Sequence, residues 1–470
     1  MSTTDPTGGR TPMSSSSLHD FATWEPLLRL LRARGAEQLS APGGYAAGRI
    51  GRGSWSIPLR PPGRASHAHD WTAETEAARR VMDALAEEGI EDIPFVAEIA
   101  PDGRAVLRVF HSPAVEPGIG AHDPGALVLV EGAVPEPWRR LPEPSPGAVP
   151  APSADPALLE RTLRERLPDA VGATEAEIAE AEARLGVVLP EELRALYRVT
   201  RAHWQDWDDD YDNAMHVFTA VGCELLQLDR LHVADAASRP MWWPHGAMEA
   251  VETPPDAAVQ GLVGSPGWIV FGDTGGGDRI AVDLTPGPAG HVGQIIVISH
   301  EESVGAALAA GSLTELVMDR SPRRAGRPGR RRSPAVAYVN HASVPSVEAA
   351  ADPDLEALSI GVWKKAPVSL APVAGLPRLR TLTAHPGTLA DPSEIGRLTG
   401  LEFLELSPED WRILLDAGAV PRSLKAAAIE VHGDGHHPRA ITALANEILA
   451  LWDRPPIRET VVEGDLGPLE

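Results

Sequence analysis

Two periodicities dominate the centre of this chain. Residues 268–301 read WIVFGDTGGGDRIAVDLTPGPAGHVGQIIVISHE. Positions 268–271 are wholly apolar. Positions 279–284 then alternate, with Ile280, Val282 and Leu284 on one face and Arg279, Ala281 and Asp283 on the other. Positions 295–298 are apolar again. Gly275, Gly276 and Gly277 break the first gap, and Pro286, Gly287, Pro288 and Gly290 break the second. The pattern predicts an antiparallel three-strand meander. About eighty residues upstream the period changes to that of a helix. Thr174 and Glu177 form a capping box, Ile178, Ala181 and Leu185 share a face, and Gly186 stops the helix. Pro190 opens a second helix, with Glu191 and Glu192 against the positive end of its dipole and Leu193, Leu196 and Tyr197 as its buried stripe.

The flanking regions divide by composition. Residues 1–17 are polar and read as a disordered tail. Residues 18–112 predict a small α+β domain: a helix over 21–31, a β-rich stretch over 45–59, a helix over 72–88 with Ala78, Val81, Met82 and Leu85 inward, and a hairpin over 95–110 around Pro101-Asp102-Gly103. Residues 113–154 are proline-rich and read as a linker in which only 126–130 suits a strand. A second linker, 320–334, holds seven arginines between positions 320 and 332. Beyond it Leu355/Leu358/Ile360, Leu379/Leu382/Ala384, Leu401/Leu404/Leu406 and Leu424/Ala427/Ile429 recur at steps of 24, 22 and 23 residues. This LxxLxL period resembles leucine-rich repeats. The usual asparagine is missing, with His385-Pro386 and Ser407-Pro408 near its place. Residues 335–470 are therefore expected to form a short leucine-rich-repeat-like α/β solenoid closed by a helix over 442–452.

The helical pair ATEAEIAEAEARLGVVLPEELRALYRVT, followed by WIVFGDTGGGDRIAVDLTPG, resembles the SUKH superfamily of Smi/Knr-type cell-wall-assembly regulators and their bacterial relatives. The resemblance spans about 155–319. It implies helices packed on an antiparallel sheet, and so an α+β multidomain protein overall. It also implies a binding role: immunity proteins against toxins, many of them nucleases, or regulators and interaction hubs of cell-wall assembly. The family usually places a glycine soon after the second helix, where Arg201-Ala202-His203-Trp204 stands here.

A chain of 470 residues exceeds one compact core and suggests about two to four domains. It has no apolar run of roughly 18 residues, and its first residues lack the apolar core of a secretory signal. Cys223 is the only cysteine, which excludes internal disulfides and cysteine zinc sites. A cytoplasmic protein is expected. Abundant Ala, Arg, Gly and Pro with little Lys point to a GC-rich bacterial genome. The net charge is −24, and residues 155–319 carry 28 acids against ten arginines and no lysine. Such a field repels nucleic acid and speeds encounter with basic partners, and it also serves plain solubility.

Catalytic and metal signatures are weak. The triple glycine with Asp273 and Asp278 lacks the Gly-Lys-Ser/Thr ending of a phosphate loop and reads as a hairpin turn. Asp208, Asp210 and Asp212 imitate the start of a calcium loop, but Asn213 replaces its glycine and Thr219 its terminal glutamate. No cofactor, metal or catalytic residue is expected. Trp242 and Trp243 suit a core. His203, His216, His232 and His245 lack ligand spacing, and the arginine run suits a solvated linker or an anionic contact. The stretch Trp204, Trp207, Asp208, Asp209, Asp210 and Asp212 combines aromatic anchors with acids, as in protein interfaces. It is the first candidate for partner contact, and Asp273, Asp278 and Asp283 are the second. The expected protein is thus a non-enzymatic binding protein. It is expected to neutralise a basic toxin, such as a nuclease, through an acidic surface, or to serve as a regulatory scaffold or interaction hub.

Overall fold

The computed structural model describes residues 17–57, 68–117, 127–203, 206, 211–319, 333–363, 366–432 and 436–468. The chain separates into two units, one of residues 1–133, 384–396 and 404–470, the other of residues 134–383 and 397–403. The architecture is mixed α/β with several sheets, in keeping with the α+β multidomain expectation.

In the first unit an antiparallel sheet runs in the order Arg458–Asp465, Arg104–His111, Asp92–Ile99, Ala46–Gly51, Trp55–Ser56. Helix Phe21–Arg34 is capped by Asp20, and it packs with helix Ala68–Glu88 on one face of the sheet. Trp24, Leu28, Val81, Leu85, Phe95 and Leu107 lie in the resulting core. The edge strand comes from far along the chain: Val462 joins this core, and Arg32 clamps the end of that strand through the carbonyl of Gly467 at 2.6 Å. Elsewhere in the unit Leu127–Val130 pairs antiparallel with both Ala426–Ile429 and Val115–Pro117. Trp411 of helix Pro408–Asp416 is fully buried and donates its indole N–H to the carbonyl of Ala428 at 2.8 Å.

Glu405, in strand Phe403–Leu406, has its carboxyl raised to about 7, by burial first and then by the neighbouring Glu430 charge. A raised acid favours the fold while protonated. Its contribution is complete below the ordinary glutamate range and is lost as pH rises through about 7. Glu405→Gln should therefore flatten the fall in melting temperature between about pH 5 and pH 8. An unchanged slope would show that this carboxyl does not titrate there.

In the second unit the meander appears as expected, with Trp268–Asp273, Arg279–Asp283 and Gln294–Ile298 pairing antiparallel in sequence. Ala307–Ala310 extends one edge, and Glu224–Leu225 and His232–Val233 pair with Trp268–Asp273 at the other. The capping box forms: Thr174 Oγ1 accepts from Glu177 N while Glu177 Oε2 accepts from Thr174 N. Gly186 ends helix Glu175–Leu185 in the left-handed conformation, at φ +69°. Helix Glu191–Val199 follows with Pro190 as its cap residue. Leu159, Ile178, Leu193, Leu196 and Tyr197 pack with Ile269, Phe271, Ile280 and Val282 on one face of the sheet. The opposite face is covered as well, by Ala234, Val251 and Leu262 over Trp268, Val270, Ala281 and Ile296. Ala202, where the family's glycine is absent, is buried with φ +59°, a left-handed position that disfavours any side chain.

Residues 143–153, read from sequence as linker, lie along this domain as a strap. Gln260 exchanges two hydrogen bonds with the backbone of Glu143, at 2.8 and 2.9 Å. Ser145 Oγ donates to the carbonyl of Pro286 at 2.7 Å, and Val292 N donates to that of Val149 at 3.2 Å. Strands occur at Ala357–Ile360, Thr381–Ala384, Phe403–Leu406 and Ala426–Ile429, the places where the LxxLxL pattern recurs. Val336–Val339 pairs parallel with Ala357–Ile360. The amides of Glu356, Arg380 and Glu402 donate stepwise to the carbonyls of Ala335, Glu356 and Arg380.

Glu356 is the polar hub of this unit and is 1% exposed. Its carboxylate takes Arg140 at 3.0 Å, Arg380 at 3.1 Å and also Arg378. Arg380 donates onward to the carbonyls of Ala247, at 2.8 Å, and of Glu249. Arg140 reaches Val251 O at 2.5 Å and Glu136 at 2.6 Å. One carboxylate thus ties residues 136–140, the 247–251 segment and the strand region from 356 to 380.

Candidate functional site

The acidic domain consumes most of its own positive charge. Arg194 and Arg198 both bind Glu175, at 2.9 and 2.6 Å, and Arg198 also holds Glu191. Arg201 forks onto Asp206 with two contacts of 2.7 Å, which holds the Asp206 carboxyl below its usual range. Arg166 and Arg184 are turned inward onto backbone carbonyls and stitch helices to loops. The excess of acids is therefore left to the surface.

Of the first-choice contact residues, Trp204, Trp207, Asp208, Asp209 and Asp210 lie outside the described residues. Asp212 is exposed in the first turn of helix Tyr211–Val221. Val217, Ala220 and Val221 bury the inner side of that helix. Tyr211 and Met215, one turn apart, are 66% and 41% exposed on its outer side. The ring of Phe218 approaches Gly275 to 4.0 Å from where a Cβ would stand, so the helix adjoins the glycine turn. Sequence reasoning passed over Tyr211 and Met215 as contacts. Their signal is an apolar i, i+4 pair set away from the Val217/Val221 stripe.

The glycine turn is a hairpin connection between antiparallel strands. Asp273 Oδ1 accepts from the amides of Gly275 at 2.7 Å and Gly277 at 3.3 Å, and Thr274 N donates to Asp278 O. Gly275 and Gly277 take φ of +78° and +93°, which explains the residue type. Asp278 accepts from both the backbone N–H of His300, at 3.0 Å, and its ring Nδ1, at 2.7 Å. Those bonds, the backbone one first, lower its carboxyl. Asp273 thus turns into its own loop and takes the amides that a phosphate would need, while Asp278 ties the turn to His300.

Asp283 corrects an expectation. Alternation placed it on a solvent or partner face, yet it is fully buried. The second apolar layer, Val251 and Leu262 among it, covers that face, and alternation alone cannot reveal a second layer. The Asp283 carboxylate accepts from Thr285 N at 2.8 Å and from Gln294 Nε2 at 2.9 Å. Burial raises its carboxyl, and these hydrogen bonds act against that rise. The aspartate of the DLTPG turn is thus an internal latch and no part of a surface.

Trp243 is buried and stacks on Phe403, with ring centroids 6.2 Å apart, while Trp242 lies against His245. Burial pushes the Cys223 thiol up to about 12, which leaves it unreactive. Among the described residues no group of three His, Cys, Asp or Glu is placed to hold a metal ion, and no helix is long and apolar enough to cross a membrane.

Comparison with known proteins agrees with the central elements. Residues 172–319 match the SMI1 / KNR4 family (SUKH-1). A "Glucan synthesis regulatory protein" of Neurospora crassa is 39% identical over 67 residues, which is 14% of this chain and 13% of that protein. The "Cell wall biosynthesis/cell cycle regulator smi1" of Schizosaccharomyces pombe is 44% identical over 48 residues, 10% of each. Both relatives are fungal. The chain spans only these small fractions of their length, so the likeness is one of a segment.

Proposed function

From a chain whose residues 172–319 are a SMI1/KNR4-family (SUKH-1) domain, we propose a non-enzymatic protein that binds a basic partner protein through the acidic face of that domain. The observation that carries this is the surplus of acids, 28 against ten arginines over residues 155–319, several of those arginines being already held by the domain's own carboxylates. The contact surface comprises Tyr211, Asp212 and Met215, with Trp204, Trp207, Asp208, Asp209 and Asp210 preceding them in the chain. Asp273 and Asp278 border it at the glycine turn. A toxin whose active groove is basic, such as a nuclease, fits this chemistry, because carboxylates occupy the groove that its substrate needs.

A second reading, a regulatory scaffold, has its own support. The Glu356 hub binds the acidic domain to the strand region that follows it, which a minimal toxin antagonist does not require. Both fungal relatives are also named as regulators. In this reading residues 335–470, a repeat-like array, offer a second docking surface.

Capture from native lysate on the full-length chain, washed across a salt series, separates these readings. A basic toxin-like protein released by rising salt, and bound at least about tenfold more weakly by Asp208→Asn/Asp210→Asn, supports neutralisation. A salt-insensitive endogenous partner, indifferent to those substitutions, discards it in favour of the scaffold.

A further inference from the structure

Two arginines of the acidic domain, Arg239 and Arg279, meet at the turn Ala236–Ser238. Arg239 follows the turn Ala236–Ser238, which Asp235 caps by accepting from Ser238 N at 3.0 Å. Arg279 opens strand Arg279–Asp283. Arg239 is only 5% exposed, and one arm of its fork, Nη2, donates to the carbonyl of Glu302. The other arm, Nη1, is buried with no hydrogen-bond partner among the described residues. Arg279 is half-buried, and its contacts to Ser238 O and Oγ are long, at 3.4 Å. Among the described residues neither forms an ion pair, although the domain has nearly three acids for every arginine. The two cations sense each other: Arg239 is pulled down to about 10 by burial and then by the Arg279 charge, with Glu302 acting the other way.

A buried guanidinium N–H without an acceptor is costly and calls for an explanation. A water satisfies the donor but leaves two adjoining positive charges with only the more distant Glu302 carboxylate against them. An oxyanion does both, and the planar fork of arginine is shaped for its paired oxygens. We propose that Arg239 and Arg279 form a receptor for a single oxyanion group, a carboxylate or a phosphoryl group. The half-exposed Arg279 provides its entry, and the buried Nη1 of Arg239 forms its floor. This cationic receptor is independent of the acidic face and takes a group of opposite sign.

The test uses the full-length protein, with inorganic phosphate titrated at constant ionic strength against chloride and read by calorimetry and by thermal unfolding. Saturable binding with a rise of the melting midpoint by about 2–4 °C is expected. Arg279→Gln should weaken it by about tenfold or more. Arg279→Lys, which keeps the charge and loses the fork, should fall between; it also serves should the glutamine variant not fold. Acetate and methyl phosphate then distinguish a carboxylate source from a phosphoryl one, by which of them saturates at lower concentration. No saturable effect of any of the three anions beyond chloride overturns the proposal and leaves water as the acceptor. Equal affinity in wild type and both variants overturns it too, by placing the anion on other arginines.

Discussion

Glu356→Ala is expected to cost its unit about 3–5 kcal/mol, the range for removing one partner from a buried ion cluster. The carboxylate is almost wholly buried and faces Arg140, Arg378 and Arg380, with Glu136 against Arg140 and Arg380 and the exposed Asp354 against Arg378. Its removal leaves the buried Arg380 with two carbonyls, the Thr381 hydroxyl and the edge of Glu136, while the more exposed Arg378 keeps Asp354. Glu356→Gln keeps the shape and one acceptor, so it should lose less. Urea unfolding of both variants reads the difference. A loss under about 1 kcal/mol for the alanine variant would mean that water already reaches the cluster and that the hub does not hold the segments together.

Asp283→Ala ranks next, with an expected loss of about 1–3 kcal/mol, because Thr285 N loses its acceptor and Gln294 Nε2 keeps only the Ala258 carbonyl, at 2.7 Å, for its two N–H groups. The pH dependence gives an independent check. Burial raises the Asp283 carboxyl, so its protonated form is favoured in the fold, and stability rises as pH falls through the raised value. An asparagine side chain at this position has no such titration. The wild type should therefore gain on the Asp283→Asn variant as pH is lowered from about 7 towards about 4. A gap that widens in the opposite direction would contradict the raised carboxyl. Binding of a basic partner should be unchanged in the folded Asp283→Asn variant, since the residue reaches no surface.

The parts of the fold that local chemistry specifies were legible in the sequence. Thr174, Glu177 and Gly186 act within one helix, and Gly275 and Gly277 within one turn, so a short window contains the whole cause. Distant causes were hidden. Nothing in the alternation of residues 279–284 indicates that the 234–262 stretch folds over their second face, and Asp283 was misplaced for that reason. The prolines of residues 143–153 suggested a free linker, whereas the hydrogen bonds from Gln260, Pro286 and Val292 that fix it come from more than a hundred residues away. For the candidate site, the surplus of acids was plain from composition. The outward pair Tyr211 and Met215, and the Nη1 of Arg239 left without an acceptor among the described residues, required knowing which side of an element meets solvent.

The edge strand Arg458–Asp465 has a consequence for biosynthesis. Its Glu459 pairs with Arg108, 351 positions earlier. At a translation rate of about 5–20 residues per second, the strand leaves the ribosome roughly 20–70 seconds after its partner Arg104–His111. Throughout that interval the nascent chain carries an uncapped strand, open to pairing with a neighbouring nascent chain on the same polysome. Ribosome-bound chains halted before position 458 should therefore show weak protection of the 104–111 amides and chaperone occupancy there, both relieved once the last strand emerges.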